Sequence, residues 1–336
     1  MNLALTFYSV LRMPIRDIIA CSIAAEKAGF GYISVAESFY RDGFALASAI
    51  ATHTKKVKFG TSVMPIYTRT PFQIAMGAAT LYEISGGRMA FLGLGVGYRG
   101  RTEQYFGIRQ TRHLERMTEY IRIIRDLLSG EDTTYRGKFF HLEKFPKLSS
   151  EFINLPIYVG SSGSRMLQLA GRLADGIILN SISTPEYVSF AKEKITEGAK
   201  LAGRDPSKMK VGHSVIFAAA EDVQEAIDAA KEDILFYTSY PELDPVIERS
   251  PFTTEVKMMR ELLIKGEKKQ ALSLIDEEML DAFAVYGTPK DCRARLRQFL
   301  SRGISLPIIR VSVSPYKESE RRDVLMTAIE SLKNWR

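Results

Sequence analysis

With 336 residues, 46% of them hydrophobic and 25% charged, the chain is long enough to bury a sizeable core and has the balance of an ordinary globular protein. Its formal charge of +7 comes from basic residues dispersed among acids without interleaved aromatics, which argues against nucleic acid, and no apolar run approaches the ~20 residues that span a bilayer. The N-terminal segment has no basic stretch leading into a long apolar core, and Cys21 and Cys292 sit in no metal-binding spacing, so the expectation is a cytoplasmic protein with two buried thiols, no membrane anchor and no metal.

Strand and helix signals alternate along the chain. Segments 3–7, 32–38, 56–63 and 88–95 read as strands, separated by helical periodicity over 15–28, 44–54 and 71–84. The third of these helices follows Pro71, repeats Ile74, Ala75, Ala78, Ala79 and Leu81 on one face, and stops at Ser85-Gly86-Gly87. A helix over 112–128 comes next, then the aromatic, Gly-punctuated stretch 133–148, which suits an inserted hairpin. The alternation resumes with strands at 155–160, 175–180 and 209–219 and helices after Ser164 and Pro185. From Asp222 to Met279 the signal is nearly all helical, too long for one crossover and suited to an extra helical layer. Segment 284–304 reads as a turn and an amphipathic helix, 306–315 as an eighth strand, and 318–332 as a closing helix. Eight βα units in one domain over 1–336 predict a (β/α)8 TIM barrel with an insertion after strand 4 and a helical insertion between strands 7 and 8.

In such a barrel the chemistry sits at the C-terminal ends of the strands. These are Thr6 to Tyr8, Glu37 and Ser38, Ser62 to Met64, Gly95 to Tyr98, Gly160 to Ser164, Asn180 and Ser181, Phe217, and Ser312 to Ser314. They offer few acid–base groups. His53, His113, His141 and His213 fall in helices, the insertion or a strand body and read as structural. No hydrolase triad, zinc-protease motif or phosphate-binding loop of the Walker type is present, which points to a reaction whose hard chemistry belongs to a bound cofactor.

Gly95-Val96-Gly97-Tyr98-Arg99-Gly100 matches the dinucleotide fingerprint letter by letter, but it follows a fourth strand, no helix is expected to open at its third glycine, and no acid ends a strand some twenty residues on. Two readings stay open for these glycines: room for a planar ring against backbone, or relief of tight packing at the barrel end. Gly160-Ser161-Ser162-Gly163-Ser164 before a helix is either a phosphate cradle or a plain N-cap. Glu37 either meets a ligand at the barrel mouth or pairs with Arg41. The arginine-rich stretch 99–125 is either a solvated helix face or a lip that attracts an anionic ligand.

Together, GTSVMPIYTRTP, LYEISGGRMAFLGLGVG, PIYVGSSGSRMLQLAGRLADGIILN and DEEMLDAFAVYGTPKDCRARL resemble the bacterial luciferase-like superfamily, specifically its coenzyme F420-dependent branch around methylenetetrahydromethanopterin reductase. The resemblance implies an oxidoreductase that passes a hydride between the deazaflavin C5 and a small-molecule substrate, commonly as a homodimer. It places a non-prolyl cis peptide at Ser62-Val63 behind the ring. It assigns ring or wall contacts to Thr6, Glu37, Ser38, Ser62, Val63, Gly95 and Gly97, and the phosphate to Gly160, Ser161, Ser162, Gly163 and Ser164. Three positions depart from the pattern: Thr6 replaces a glutamate, Glu37-Ser38 replaces an Asp-His pair, and Tyr98 replaces an acid. Glu37 and Tyr98 are left as the proton-handling candidates. The alternatives are an FMN-dependent monooxygenase of the same superfamily and a flavin-binding barrel without turnover.

Overall fold

A computed structural model describes residues 2–7, 12–37, 39–149 and 151–335; Tyr8 and Ser38, two of the expected strand-end residues, lie outside them. The chain runs β1 (Ala4–Thr6), α1 (Ile15–Ala28), β2 (Tyr32–Val35), α2 (Gly43–Ala51), β3 (Lys58–Thr61), β4 (Met64–Pro65), α3 (Pro71–Ile84), β5 (Met89–Gly95), α4 (Arg99–Phe106) and α5 (His113–Leu127). It continues through β6 (Thr133–Arg136), β7 (His141–Phe145), β8 (Ile157–Gly160), α6 (Ser164–Leu173), β9 (Gly176–Leu179), α7 (Pro185–Leu201) and β10 (Lys210–Ala219). The last part comprises α8 (Val223–Thr238), α9 (Asp244–Ile247), α10 (Thr253–Ile264), α11 (Lys268–Ser273), α12 (Glu277–Phe283), β11 (Ala284–Gly287), α13 (Pro289–Leu300), β12 (Leu306–Val311) and α14 (Arg321–Ser331).

Strands β1, β2, β3, β5, β8, β9, β10 and β12 pair in parallel in that order, and the β12–β1 ladder closes the ring. This is the expected TIM barrel. Apolar helix faces pack against the outward side chains of the strands in one extended core. A second, smaller cluster of Ala4, Phe91, Tyr158, Ile178, Leu306 and Ile308 fills the barrel itself, with the Phe91 and Tyr158 rings stacked at 5.0 Å. Side chains two apart on a strand share a face. The layer above this apolar plug is therefore built from Thr6, Gly95, Gly160, Asn180 and Arg310, each two residues beyond a member of the plug or, for Gly95, four beyond Phe91.

The hairpin after strand 4 is present as the antiparallel pair β6–β7. Its tip is seated by the buried Glu119, whose carboxylate accepts the backbone N–H groups of Lys138, Phe139 and Phe140. The helical layer between β10 and β12 is also present, as α8 to α12. Both cysteines are buried, and burial pushes each thiol up to about 12. Among the described residues no helix is long and apolar enough to cross a membrane.

Three local readings need correction. Residues 284–287, expected as a turn, form β11, because β10 is ten residues long and its second half outruns β9. Pairing from Ile216↔Ala284 to Ala219↔Gly287 covers that exposed edge. The third strand stops at Thr61, short of Val63, while the expected cis Ser62–Val63 peptide is present and the chain resumes as β4 beside Leu94 and Gly95. Finally, a helix does open near the third glycine of the GVGYRG stretch. α4 begins at Arg99, and its free N–H groups at Arg99 and Gly100 donate to the Glu242 carboxylate, a cap that comes from more than 140 residues away. The rejection of a dinucleotide fold stands on topology instead, since β5 lies inside a closed barrel between β3 and β8.

Candidate active site

A cleft of about 1370 Å³ opens at the C-terminal ends of the barrel strands. Its floor is the polar layer above the apolar plug: Thr6, Ser62, Asn180, Ser214 and Arg310 all face it. These groups are ordered among themselves. Ser34 Oγ donates to Ser62 Oγ at 2.6 Å, Ser181 Oγ donates to Ser214 Oγ at 2.8 Å, and Asn180 Nδ2 donates to the Tyr98 hydroxyl at 3.4 Å. Arg310 is 2% exposed and ion-pairs with Asp233 on α8, whose two oxygens also accept from Ser312 and Ser314 at 2.7 and 3.0 Å. Thr6 Oγ1 is buried and has no hydrogen-bond partner.

One wall is Val63, which packs on the apolar plug and is given room by two glycines. A Cβ on Gly95 would stand 2.3 Å from Val63 Cγ2, and one on Gly160 would stand 3.0 Å from Val63 Cγ1. The absent side chains make room for the wall itself, which supports the tight-packing reading of Gly95, a residue that also lines the cleft. Gly93 is explained similarly: its Cβ would meet the Thr61 carbonyl oxygen at 2.0 Å. Gly97 is different, since its φ of +71° is a backbone need that precedes α4.

At the far end, Gly160, Ser161, Ser162, Gly163 and Ser164 bend into α6 with Arg165 beside them, all facing the cleft. No side chain caps this helix, and its first turn holds no acid. Its N-cap is Gly163, which has no side chain to offer, and the preceding Ser162 is engaged elsewhere: its hydroxyl donates to the Glu242 carbonyl at 2.9 Å and its carbonyl accepts from the Tyr187 hydroxyl at 2.6 Å. The first-turn N–H groups and the positive end of the helix dipole are thus directed at the cleft, an arrangement suited to a phosphate.

A roof crosses the cleft from α4 to the helical insertion. Tyr98 and Tyr240 stack at 4.0 Å, and the Arg101 guanidinium lies 5.0–5.9 Å from the rings of Phe39, Tyr98, Phe236 and Tyr240. Arg99, Arg101 and Arg112 line the cleft at the front of the basic stretch, Arg99 pairing with Glu103 at 2.9 Å and Arg112 with Glu115 at 3.3 Å. The rear of the stretch is structural: Arg125 pairs with Asp175 at 2.8 Å.

Glu37 faces the cleft, but its partner is Arg69 and not Arg41. Arg69 Nε and Nη2 reach its two oxygens at 2.7 Å each, the Gly43 N–H adds a third bond at 2.9 Å, and Arg41 instead donates to the Met13 carbonyl. Arg69 also pairs with Asp42. Burial pushes the Asp42 carboxyl up, but the Ala45 N–H and the Arg69 guanidinium outweigh it and hold the group below its usual range. With both oxygens engaged, Glu37 reads as a brace for the β2 loop rather than a free acid. His113, expected to be structural, also reaches the cleft; its Nδ1 is 2.9 Å from the Tyr67 hydroxyl, and burial holds its pKa below the ordinary value. Of the other strand-end residues, Met64, Ser181, Phe217 and Ser312 to Ser314 do not face the cleft. Arg69, Glu242 and Arg310 do and were missed. Only Arg310, a lone charge in the apolar run LPIIRV, carried a visible signal.

Known proteins with this architecture share most of the chain. A 5,10-methylenetetrahydromethanopterin reductase of Methanolobus tindarius is 33% identical over 91% of this chain and 93% of its own length, and one from Archaeoglobus fulgidus is 30% identical over 92% and 93%. Among solved structures, a coenzyme F420-dependent tetrahydromethanopterin reductase from Methanopyrus kandleri superposes with a TM-score of 0.83 at 26% identity, covering 99% of this chain and 97% of the other. The resemblance to the F420 branch is thus borne out. Residues 4–306 match the luciferase-like monooxygenase family, and the chain belongs to it.

Proposed function

We propose that the chain is a coenzyme F420-dependent oxidoreductase that moves a hydride between the cofactor and a small organic molecule. The observation that carries this reading is the union, in one cleft, of a Val63 wall seated by Gly95 and Gly160 and an uncapped helix start at Ser164. Val63 with its two glycine seats would back a flat ring, Gly160 to Ser164 and Arg165 would hold a phosphate, and Arg99, Arg101 and Arg112 would meet further anionic parts. A cleft of about 1370 Å³ exceeds the ~300–1,000 Å³ of common ligand pockets, leaving room for a substrate beside a cofactor. The bound deazaflavin supplies hydride donation or acceptance at C5. The protein's part is to orient both partners and exclude water beneath the roof of Tyr98, Arg101 and Tyr240.

Glu37 and Tyr98 contribute by position in this reading: Glu37 fixes the β2 loop through Arg69, and Tyr98 orders Asn180 and the roof. The finer expectations of a homodimer in the cytoplasm belong to the same proposal. Support for a dimer comes from Met76 and Ile84 on α3, which are large apolar residues about half exposed. The test is equilibrium titration of the purified chain with F420 and with FMN. Saturable F420 binding is expected, and FMN binding in its absence would refute the assignment.

A further inference from the structure

The floor of the cleft contains a juxtaposition that neither cofactor binding nor stability accounts for. Thr6 and Arg310 are direct cross-strand partners in the β1–β12 ladder, with Cα atoms about 4.8 Å apart as in any such pair. Both side chains lie on the inward row, both face the cleft, and both are at least 97% buried. Thr6 Oγ1 has no hydrogen-bond partner. A buried hydroxyl without a partner loses its hydration for no return, and a valine of the same shape would avoid that cost.

The Arg310–Asp233 pair is likewise a poor stabilising device, since desolvating two charges offsets most of their attraction. It is, however, oriented. Asp233 does not face the cleft and is fixed from behind by Ser312 and Ser314, whereas the guanidinium does face it. The pair therefore presents its positive end to the ligand.

We infer that Thr6 Oγ1 and the Arg310 guanidinium form a two-donor site for a substrate oxygen, so that the substrate is a carbonyl compound or the corresponding alcohol. This rests on the hydride-transfer function proposed above and assigns Thr6 to the substrate instead of the cofactor. In the reductive direction the carbonyl carbon gains the hydride supplied by a reduced deazaflavin, forming a C–H bond. The C=O π pair moves onto oxygen, and the oxygen takes a proton from water to give the alcohol; the deazaflavin is oxidised and the carbonyl reduced. Negative charge grows on oxygen during the transfer, where preformed donors act most strongly. A C=N⁺ substrate develops no such charge and gains nothing from a positive floor.

The test uses cyclohexanone as substrate and isobutyrate as a probe that places an anionic oxygen at the same site. Thr6→Val should raise the Tm by about 2 °C or more, because it removes an unpaired buried hydroxyl, while lowering kcat/KM for cyclohexanone about 10-fold. A purely structural Thr6 would not gain stability as activity fell. Arg310→Met combined with Asp233→Asn, which avoids stranding a buried charge, should lower kcat/KM by about 100-fold and weaken isobutyrate binding by at least 10-fold. Unchanged isobutyrate affinity in both variants would overturn the site. So would a loss of F420 affinity larger than the loss of kcat/KM, which would give the pair to the cofactor. F420 binding without any turnover of cyclohexanone or other ketones and aldehydes would overturn the substrate class alone. Failure of F420 to bind would instead remove the proposed function, leaving the isobutyrate titration to decide the donor pair.

Discussion

Gly95→Ala isolates the wall of the cleft in one methyl group. The new Cβ would stand 2.3 Å from Val63 Cγ2, against an ordinary contact of 3.4 Å or more, so the valine must retreat by roughly 1 Å. On one side lies Gly160, where even a single added Cβ would stand 3.0 Å from Val63 Cγ1, and the other direction is the cleft. Gly95 is not in the left-handed region, so alanine keeps the backbone and the effect is purely one of space. Overpacking of this kind costs about 1–3 kcal/mol, which for a chain of this size lowers the Tm by about 2–6 °C. A wall displaced by an ångström into the ring's seat should weaken F420 binding by at least about 10-fold, or about 1.4 kcal/mol. Differential scanning calorimetry and F420 titration measure the two effects on one sample. Adding Val63→Ala removes the clashing methyl and should restore most of the affinity. Wild-type Tm and affinity in Gly95→Ala, or a double mutant no better than the single, would refute the idea that Val63 is seated by glycines.

Arg69→Met breaks the pair with Glu37 and should cost about 3 kcal/mol in urea unfolding, whereas Arg41→Met should cost under half of that; the reverse order would return Glu37 to Arg41. Arg101→Ala removes a cation held near four rings, and at about 0.5–1 kcal/mol per contact F420 should dissociate roughly tenfold faster or more in stopped flow, an unchanged rate showing that the roof does not retain the cofactor. F420 affinity should fall as sodium chloride rises through the Debye-screening range, and a flat response would make the arginine lip mere surface. His213 is fully buried, and desolvation lowers its pKa to about 4. Between that value and about 6.5 the unfolded chain binds the extra proton and the folded one does not, so stability should decline as pH falls through this window, by at most about 1.4 kcal/mol per unit. His213→Gln should flatten that slope in urea midpoints measured from pH 7 to 4; an unchanged slope would assign it to other groups.

The barrel was legible because its determinants are local. Pro71 with Thr70 and Gln73 writes a capping box into the sequence, and the alternation of short β-branched runs with helical periodicity leaves few topologies open. The strand-end rule likewise singles out Ser62, Gly95 and Ser161 to Ser164, all of which line the cleft. The helix at Arg99 was hidden because its cap, Glu242, arrives from a remote insertion, and β11 was hidden because a four-residue strand acquires its meaning from the overhang of β10. Pairing choices were equally invisible. Arg41 is nearer to Glu37 along the chain, yet Arg69, in the loop between β4 and α3, is the residue that reaches it.

Arg310 shows where a sequence reading could have gone further. In Leu306-Pro307-Ile308-Ile309-Arg310-Val311 the arginine shares the parity of Leu306 and Ile308, both of which fill the barrel. A charge on that row must either be neutralised inside the protein or emerge into a cleft at the strand end. The sequence cannot choose, because the neutralising group, Asp233, sits on a helix of the insertion and looks there like any acid on an amphipathic face. The fold resolves it both ways at once: Asp233 anchors one side of the guanidinium while the cleft receives it. An interior row that changes from apolar to charged at a strand's C-terminal end is thus a readable mark of a ligand floor, and here it converges with Thr6, the cross-strand partner of Arg310.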